Sequence, residues 1–569
     1  MKIEKIRELA PLFGIQTTYE DASGVRRSAS RDSLMAILRA RAGHRDLEEA
    51  LRERKARKGE PVVVAWDGKL GSEMLPFGYH VRGETLIISA PRQAFVPSRA
   101  WGIFAPLYAM RTQRSWGAGD LGDLQAYRER LGAGIIATLP MLAVDADDPS
   151  PYSPLSRLFW NEMYLDVERL RELDPADRDD ATIAALQSSD RVDYCGVMRE
   201  KRRVLEKMLT RFRPDAGYER FAKNACGYAK FRAQTEDGGP RSEEYHLYVQ
   251  YRMEQQIREV SRGLYLDFPL GVNPNGYDAS RYASVFAKGV TVGAPPDLFF
   301  TKGQNWGFAP FDPDAIREEH YDYFRACIAH HAAHASALRI DHVMGLHRLF
   351  WIPEGGEPKD GVYVRYCEEE MYAIVVLESN RHRCAIVGED LGTVPQYVPA
   401  MMKRHGLRRM YVVQYEEKIG DPPEQSVASV NTHDMPAFAG FCQGRDIDER
   451  VEQGLLSERA ARKEREKRRK IRQKMTAFLK ARGLLQDDDT RSILEALLRF
   501  LAASSAEIVL VNLEDLWLET EPQNRPGLPE RSWRQKFMFP LEQMMRDTKV
   551  TAILGSVGEQ RRKVDGDET

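Results

Sequence analysis

Ser336-Ala337-Leu338-Arg339-Ile340-Asp341-His342 is a short apolar run that stops abruptly at an acid and a histidine. The chain repeats this layout twice, in Cys384-Ala385-Ile386-Val387-Gly388-Glu389-Asp390 and in Val427-Ala428-Ser429-Val430-Asn431-Thr432-His433-Asp434. Apolar runs this short and this sharply bounded read as strands buried on both faces, the condition of a parallel sheet. The residue just past the C-terminal end of such a strand is held rigidly and faces the cleft where parallel barrels place their chemistry. Three such ends bearing Asp, Glu and Asp point to a carboxylate active site for glycoside chemistry.

Working outward, comparable runs occur at 102–107, 134–139, 263–268, 337–341, 385–388, 410–414, 427–431 and 507–511. Eight strand-and-connection units predict an α/β fold, a (β/α)8 TIM barrel over residues 98–569, with helical insertions at about 141–262 and 435–506. Ahead of it, residues 1–58 are rich in Arg and Glu, show amphipathic spacing across 31–38, and predict a helical region. Residues 59–97 carry Val62-Val63-Val64-Ala65-Trp66, Gly78-Tyr79-His80-Val81 and Thr85-Leu86-Ile87-Ile88-Ser89, which predict a short β-rich accessory segment.

Bulk properties narrow the function classes. The 569 residues are 43% apolar, 30% charged and 9% aromatic, an ordinary globular composition. A net charge of −2 gives no electrostatic reason to expect nucleic acid as a partner. The basic run from Glu458 to Lys470 has interleaved glutamates and no aromatics, so it reads as a salt-bridged helix face. Six scattered cysteines without CxxC spacing predict neither a metal knuckle nor a disulfide framework and fit a reducing compartment. The mixed-charge start and the lack of a run near ~20 apolar residues predict neither a secretory signal nor a membrane span. The expectation is a cytoplasmic protein.

Cleaving a glycosidic bond with retention requires a carboxylate nucleophile and a protonated carboxyl on the leaving-group side, roughly 5 Å apart and with different proton affinities. Arg339 lies two residues before Asp341, on the same strand face, and is expected to keep Asp341 ionised. Glu389 follows three apolar residues and a glycine, an environment expected to raise its pKa toward that of a proton donor. Asp434, beside His433, is placed to support an oxocarbenium-like transition state. Acids at strand ends also serve as helix N-caps, so each of the three, taken singly, has a structural reading as well.

At these residues the sequence resembles the 4-α-glucanotransferases known as amylomaltases or disproportionating enzymes, relatives of the α-amylase superfamily. Leu338 to His342, Val387 to Gly392 and Asn431 to Asp434 are similar to that family's nucleophile, acid/base and stabiliser motifs, in that order. Further similar segments are Trp116-Gly117-Ala118-Gly119-Asp120-Leu121-Gly122, Ser150-Pro151-Tyr152-Ser153, Asp267-Phe268-Pro269, Val292 to Asp297 with Gly303-Gln304-Asn305-Trp306-Gly307, Glu521 to Gly527, and Ser532-Trp533-Arg534. The resemblance implies Asp341 as nucleophile, Glu389 as acid/base and Asp434 as stabiliser. It also implies that Arg339, His342 and His433 surround the donor sugar, with Tyr152, Asp267 and Asn524 as further contacts. Trp306 either stacks on a glucose face or packs as an ordinary loop tryptophan. The implied activity is transfer of α-1,4-glucan segments between malto-oligosaccharides by retaining double displacement, with no cofactor and no metal. A hydrolase using the same carboxylates, and a non-catalytic glycan-binding barrel, stand as alternatives.

Overall fold

The eight predicted runs all become strands of one sheet. The computed structural model describes residues 2–566 apart from 21–23, 44–45, 57–59, 146, 237–238, 240, 297–301 and 526–527. Asp297 and the pair Pro526-Gly527, singled out above within motifs, lie outside the described residues. The strands are β1 (Ala100–Phe104), β2 (Ile135–Ala137), β3 (Leu264–Phe268), β4 (Ala337–Ile340), β5 (Ala385–Gly388), β6 (Arg409–Val412), β7 (Ser426–Ser429) and β8 (Ile508–Asn512). They are parallel, in the order β5-β4-β3-β2-β1-β8-β7-β6. The sheet closes on itself where Arg408 N donates to Ile386 O and Gly388 N donates to Arg408 O, both at 2.9 Å.

Six of these strands, β2, β3, β4, β5, β7 and β8, are buried along their whole length, which is why they read as apolar runs without polar alternation. Tyr265, Ala337, Ala385, Val387, Val427, Ile508 and Leu510 belong to one inner cluster that fills the barrel. Helices Leu121–Arg130, Ser242–Val260, Asp322–Ala332, Glu368–His382, Tyr397–His405, Thr490–Ala502 and Thr548–Asp565 supply the outer layer. The β6–β7 connection differs, carrying only the 3-10 turn Val413–Tyr415. The Trp116 to Gly122 motif contains the start of the first barrel helix, where Asp120 and Asp123 form a reciprocal capping box.

Between β2 and β3 lie helices Asp180–Ser188, Tyr194–Arg211, Ala216–Thr235 and Ser242–Val260, and between β7 and β8 the charged helix Glu458–Ala481. Its arginines pair with acids as the interleaved charges predict: Arg465 with Asp448 at 2.6 Å and Arg468 with Asp446 at 2.8 Å. A four-stranded antiparallel sheet, absent from the predicted elements, forms from Gln304–Asn305, Val290–Ala294, Arg348–Pro353 and Val362–Arg365 in that order. It is assembled from the connections on either side of β4 and carries the segment leading to Trp306.

The N-terminal 58 residues are helical at Ile3–Leu9, Arg31–Arg41 and Leu47–Ala56, but Thr18–Glu20 and Arg26–Ser28 pair as a short hairpin inside the predicted helical region. Its residues are mostly exposed and polar, so they carry no periodic apolar signal. The following segment forms the expected strands, with Val62–Trp66, Thr85–Ala90 and Gly78–Arg82 in one sheet. That sheet lies against the helix Glu368–His382, where Tyr79 donates to Glu378 Oε1 at 2.7 Å and the Trp66 indole to Glu369 Oε2 at 2.8 Å.

Candidate active site

Parallel pairing places Ile340 opposite Gly388, so Asp341 and Glu389 emerge side by side one residue beyond the paired ends of β4 and β5. Gly388 lets side chains pack close at this strand end: a Cβ would stand 2.7 Å from Val343 Cγ2 and 2.8 Å from Met402 Cε, and one of them would have to shift. The same register sets Asp267 on β3 opposite Arg339 on β4. Arg339 Nη1 donates to both oxygens of Asp267, at 2.7 and 2.8 Å, and lies 3.0 Å from Asp341 Oδ1. The guanidinium expected beside Asp341 is therefore shared with a second acid across the sheet.

That sharing changes the electrostatics. Burial pushes the Asp341 carboxyl up to about 6; Arg339 opposes this, while Asp267 and Asp434 add to it. Arg339 thus lowers Asp341 as the strand pattern suggested, without cancelling the effect of burial, and the group is mostly ionised at neutral pH. Glu389 is raised further, to about 7, first by burial, with Arg339 opposing and Asp341 contributing. Its two oxygens accept backbone hydrogen bonds, Oε2 from His342 N at 3.1 Å and Oε1 from Leu391 N at 2.8 Å. Asp434 goes the other way. Desolvation favours its neutral form, but His433, Arg339 and Asn524 outweigh it and hold the carboxyl below the usual range.

Tyr152 joins the two sides of the cleft. Its hydroxyl donates to Asp267 Oδ2 at 2.7 Å, so its oxygen accepts from His433 Nε2 at 2.7 Å, which places the imidazole proton on Nε2. The same nitrogen is 3.2 Å from Asp434 Oδ2, and Asn524 Nδ2 donates to Asp434 Oδ1 at 2.9 Å. Burial keeps the Tyr152 phenol protonated, raised well above its ordinary value. Burial likewise lowers His342 to about 4, so this ring is neutral. The edge-on indole of Trp306 sits 5.3 Å from the His342 ring and is tied by Nε1 to Gln304 Oε1 at 2.8 Å.

All ten predicted residues therefore meet at the C-terminal mouth of the barrel, nine through polar contacts and Trp306 through His342. None of the three carboxylates caps a helix. The neighbouring Asp390 has the structural task instead: buried, it accepts from Arg409 and from Met410 N, tying the end of β5 to β6.

Two site residues were not predicted. Phe104, at the end of β1, stacks on the His433 ring at 5.8 Å. Trp533 packs behind Tyr152 and His433 at 5.8 and 6.1 Å, in the left-handed region with φ 61°. A bulky residue held there stores strain of the kind that collects at functional sites. Trp533 was part of a motif singled out above, but nothing local announces its contacts; Phe104 carries no signal at all. Among the described residues, no group of three or more His, Cys, Asp or Glu is arranged to hold a metal ion, and no helix is long and apolar enough to cross a membrane.

Comparison with known proteins gives the same direction. Residues 105–239 and 234–540 match the model of glycoside hydrolase family 77, described as 4-alpha-glucanotransferase. The chain is 32% identical over 583 residues to the 4-alpha-glucanotransferase of Mycobacterium tuberculosis, covering 85% of this chain and 80% of that protein. Against the Haemophilus influenzae 4-alpha-glucanotransferase it is 28% identical over 569 residues, covering 82% and 81%. Among solved structures, the amylomaltase from Corynebacterium glutamicum shares the fold, with a TM-score of 0.87 and 24% identity, over 98% of this chain and 99% of that one. A barrel closed from eight parallel strands, an Asp–Glu–Asp set at its mouth and a family match across most of its length lead to one conclusion: this chain belongs to the 4-alpha-glucanotransferase family, glycoside hydrolase family 77.

Proposed function

We propose that the chain transfers α-1,4-glucan segments between malto-oligosaccharides by double displacement, with Asp341 as nucleophile, Glu389 as acid/base and Asp434 as transition-state stabiliser. The observation that carries this reading is the register of β4 on β5. Adjacent strands are ~4.8 Å apart, close to the ~5 Å that separates the carboxyls of a retaining pair. Asp341 attacks the anomeric carbon while Glu389 gives its proton to the departing oxygen, leaving a covalent glycosyl-enzyme. Glu389, now a base, takes the proton from the acceptor's 4-hydroxyl, and the sugar oxygen displaces Asp341. An ionised Asp434, with Asn524 and His433 against its two oxygens, supports the positive charge that develops on the ring.

Arg339, Asp267, Tyr152, His433 and Asn524 form a polar lining for the donor sugar, and neutral His342 and Trp306 extend it on the acid/base side. Transfer outruns hydrolysis when that lining holds an acceptor and excludes water. The test is incubation with maltotriose, following glucose, chain length and reducing ends. A ladder of longer malto-oligosaccharides at constant reducing ends, abolished in Asp341→Ala, is expected. Accumulating reducing ends without longer products would make the protein a hydrolase instead.

A further inference from the structure

Two adjacent buried acids are hydrogen-bonded to the loops on either side of Asp434. Glu514 and Asp515 lie in the 3-10 turn Leu513–Trp517 that leaves β8 and are 9% and 2% exposed. Asp515 Oδ1 accepts from Phe438 N at 2.7 Å and from Asn431 Nδ2 at 3.2 Å. Those two donors bound the loop that carries His433 and Asp434, so one carboxyl oxygen holds both ends of that loop. Glu514 Oε2 accepts from Gln523 Nε2 at 2.8 Å, and Gln523 Oε1 accepts from the Tyr108 hydroxyl at 2.8 Å. The Gln523 carbonyl accepts from Trp533 N at 2.9 Å, and the next residue, Asn524, is the one that donates to Asp434.

We infer that Glu514 and Asp515 are positioning residues for Asp434, Asp515 fixing the loop that bears it and Glu514 fixing the loop that hydrogen-bonds it. Neither acid has a cationic partner in these contacts, and burial raises the two carboxyls to about 8 and about 7. What they supply is an acceptor atom at a fixed place rather than a charge, so an amide is an adequate replacement and a methyl group is not. Catalytic geometry is sensitive enough for this to register, since a misplacement of ~1 Å can cost ~100-fold in rate.

The inference rests on the role proposed for Asp434, and a mutant cycle separates the two. The rate is that of fluoride release from α-maltosyl fluoride, whose leaving group needs no acid, so that Glu389 enters only as the base of the second displacement. Asp515→Ala is expected to lower kcat between about 10- and 100-fold with KM little changed, while Asp515→Asn stays within about threefold. In an Asp434→Asn background, Asp515→Ala should cause no further loss, because its effect passes through the missing carboxylate. Wild-type kcat in Asp515→Ala, or an undiminished loss in the Asp434→Asn background, would overturn the positioning role and leave the reading of Asp434 standing. Full activity in Asp434→Asn alone would overturn both. Thermal unfolding identifies folded variants; if Asp515→Ala does not fold, Glu514→Ala and Glu514→Gln take the same cycle through Asn524.

Discussion

The backbone N–H of His342, in the left-handed region at φ 47°, donates to Glu389 Oε2 at 3.1 Å. The turn that follows the nucleophile is thus bent onto the acid/base carboxyl, and the two groups titrate in one environment. Turnover needs Asp341 ionised and Glu389 protonated. With Asp341 raised to about 6 and Glu389 to about 7, the working form is most populated between those values. Activity falls on the acid side as Asp341 takes up a proton and on the alkaline side as Glu389 loses one. These limbs belong to the interacting pair and not to either residue alone. We expect a narrow bell in kcat/KM for maltotriose, and loss of the alkaline limb for α-maltosyl fluoride. A profile flat from pH 5 to pH 8 would contradict the assignment.

Arg339 is divided between Asp267 and Asp341, and the two substitutions that change this division should move the acid limb in opposite directions. Asp267 is an anion that raises Asp341, so Asp267→Asn should shift the limb to lower pH. Arg339→Gln removes the cation opposing the rise, shifts the limb to higher pH, and should lower kcat by about 100-fold or more, as loss of a preorganised charge contact does. Parallel pH profiles of the two variants and the wild type decide this; shifts of the same sign would show that Arg339 does not set the Asp341 affinity.

The fold and the three carboxylates were legible because both depend on local pattern. A parallel strand covered on both faces reads as a near-continuous apolar run, and β4, β5 and β7 each end within a few residues of the acid they present. What was not legible depends on partners far along the chain. Arg339 and Asp341 are two residues apart, but Asp267, whose two oxygens both accept from Arg339 Nη1, reaches them only through the β3–β4 register. Leu349-Phe350-Trp351-Ile352 is as apolar as a barrel strand, yet it belongs to the antiparallel sheet beside the mouth. Periodicity does not tell these two fates apart. Trp533 and Phe104 reach His433 from opposite ends of the barrel sequence, a closure no local reading contains.

Gly271 offers a test of how Trp306 is held. A Cβ at this position would meet the Phe308 ring at 2.3 Å, so the ring lies directly on the glycine, and Phe308 in turn stacks with Trp306 at 6.2 Å. Gly271→Ala should push the Phe308–Trp306 pair outward. If Trp306 stacks on sugar, losing an interaction worth ~1 kcal/mol raises KM for maltotriose roughly fivefold, with a smaller change in kcat. Overpacking should also cost about 1–3 kcal/mol of stability. An unchanged KM in a variant with lowered Tm would mean that Trp306 packs the loop without touching substrate.

Acid should destabilise the fold of this protein through its buried histidines. His331 is 1% exposed; its Nδ1–H donates to Cys327 O at 2.9 Å, and its bare Nε2 is buried with no partner, so a proton taken up there has nothing to receive it. Burial, opposed by the Cys327 carbonyl and reinforced by Arg157 and His334, lowers the ring to about 3. The unfolded chain binds this proton below about pH 6.5 and the folded chain does not, so stability is complete above that value and declines as pH falls toward 3. At pH 5 the loss from this one group is about 2 kcal/mol. His330, also lowered by burial, and Glu254, held at about 2 against its own burial by His334, act in the same direction. Denaturant unfolding at pH 8 and pH 5 should show the decline, and His331→Leu should flatten it by about the same amount. Equal pH dependence in the variant and the wild type would place the acid sensitivity in another cluster.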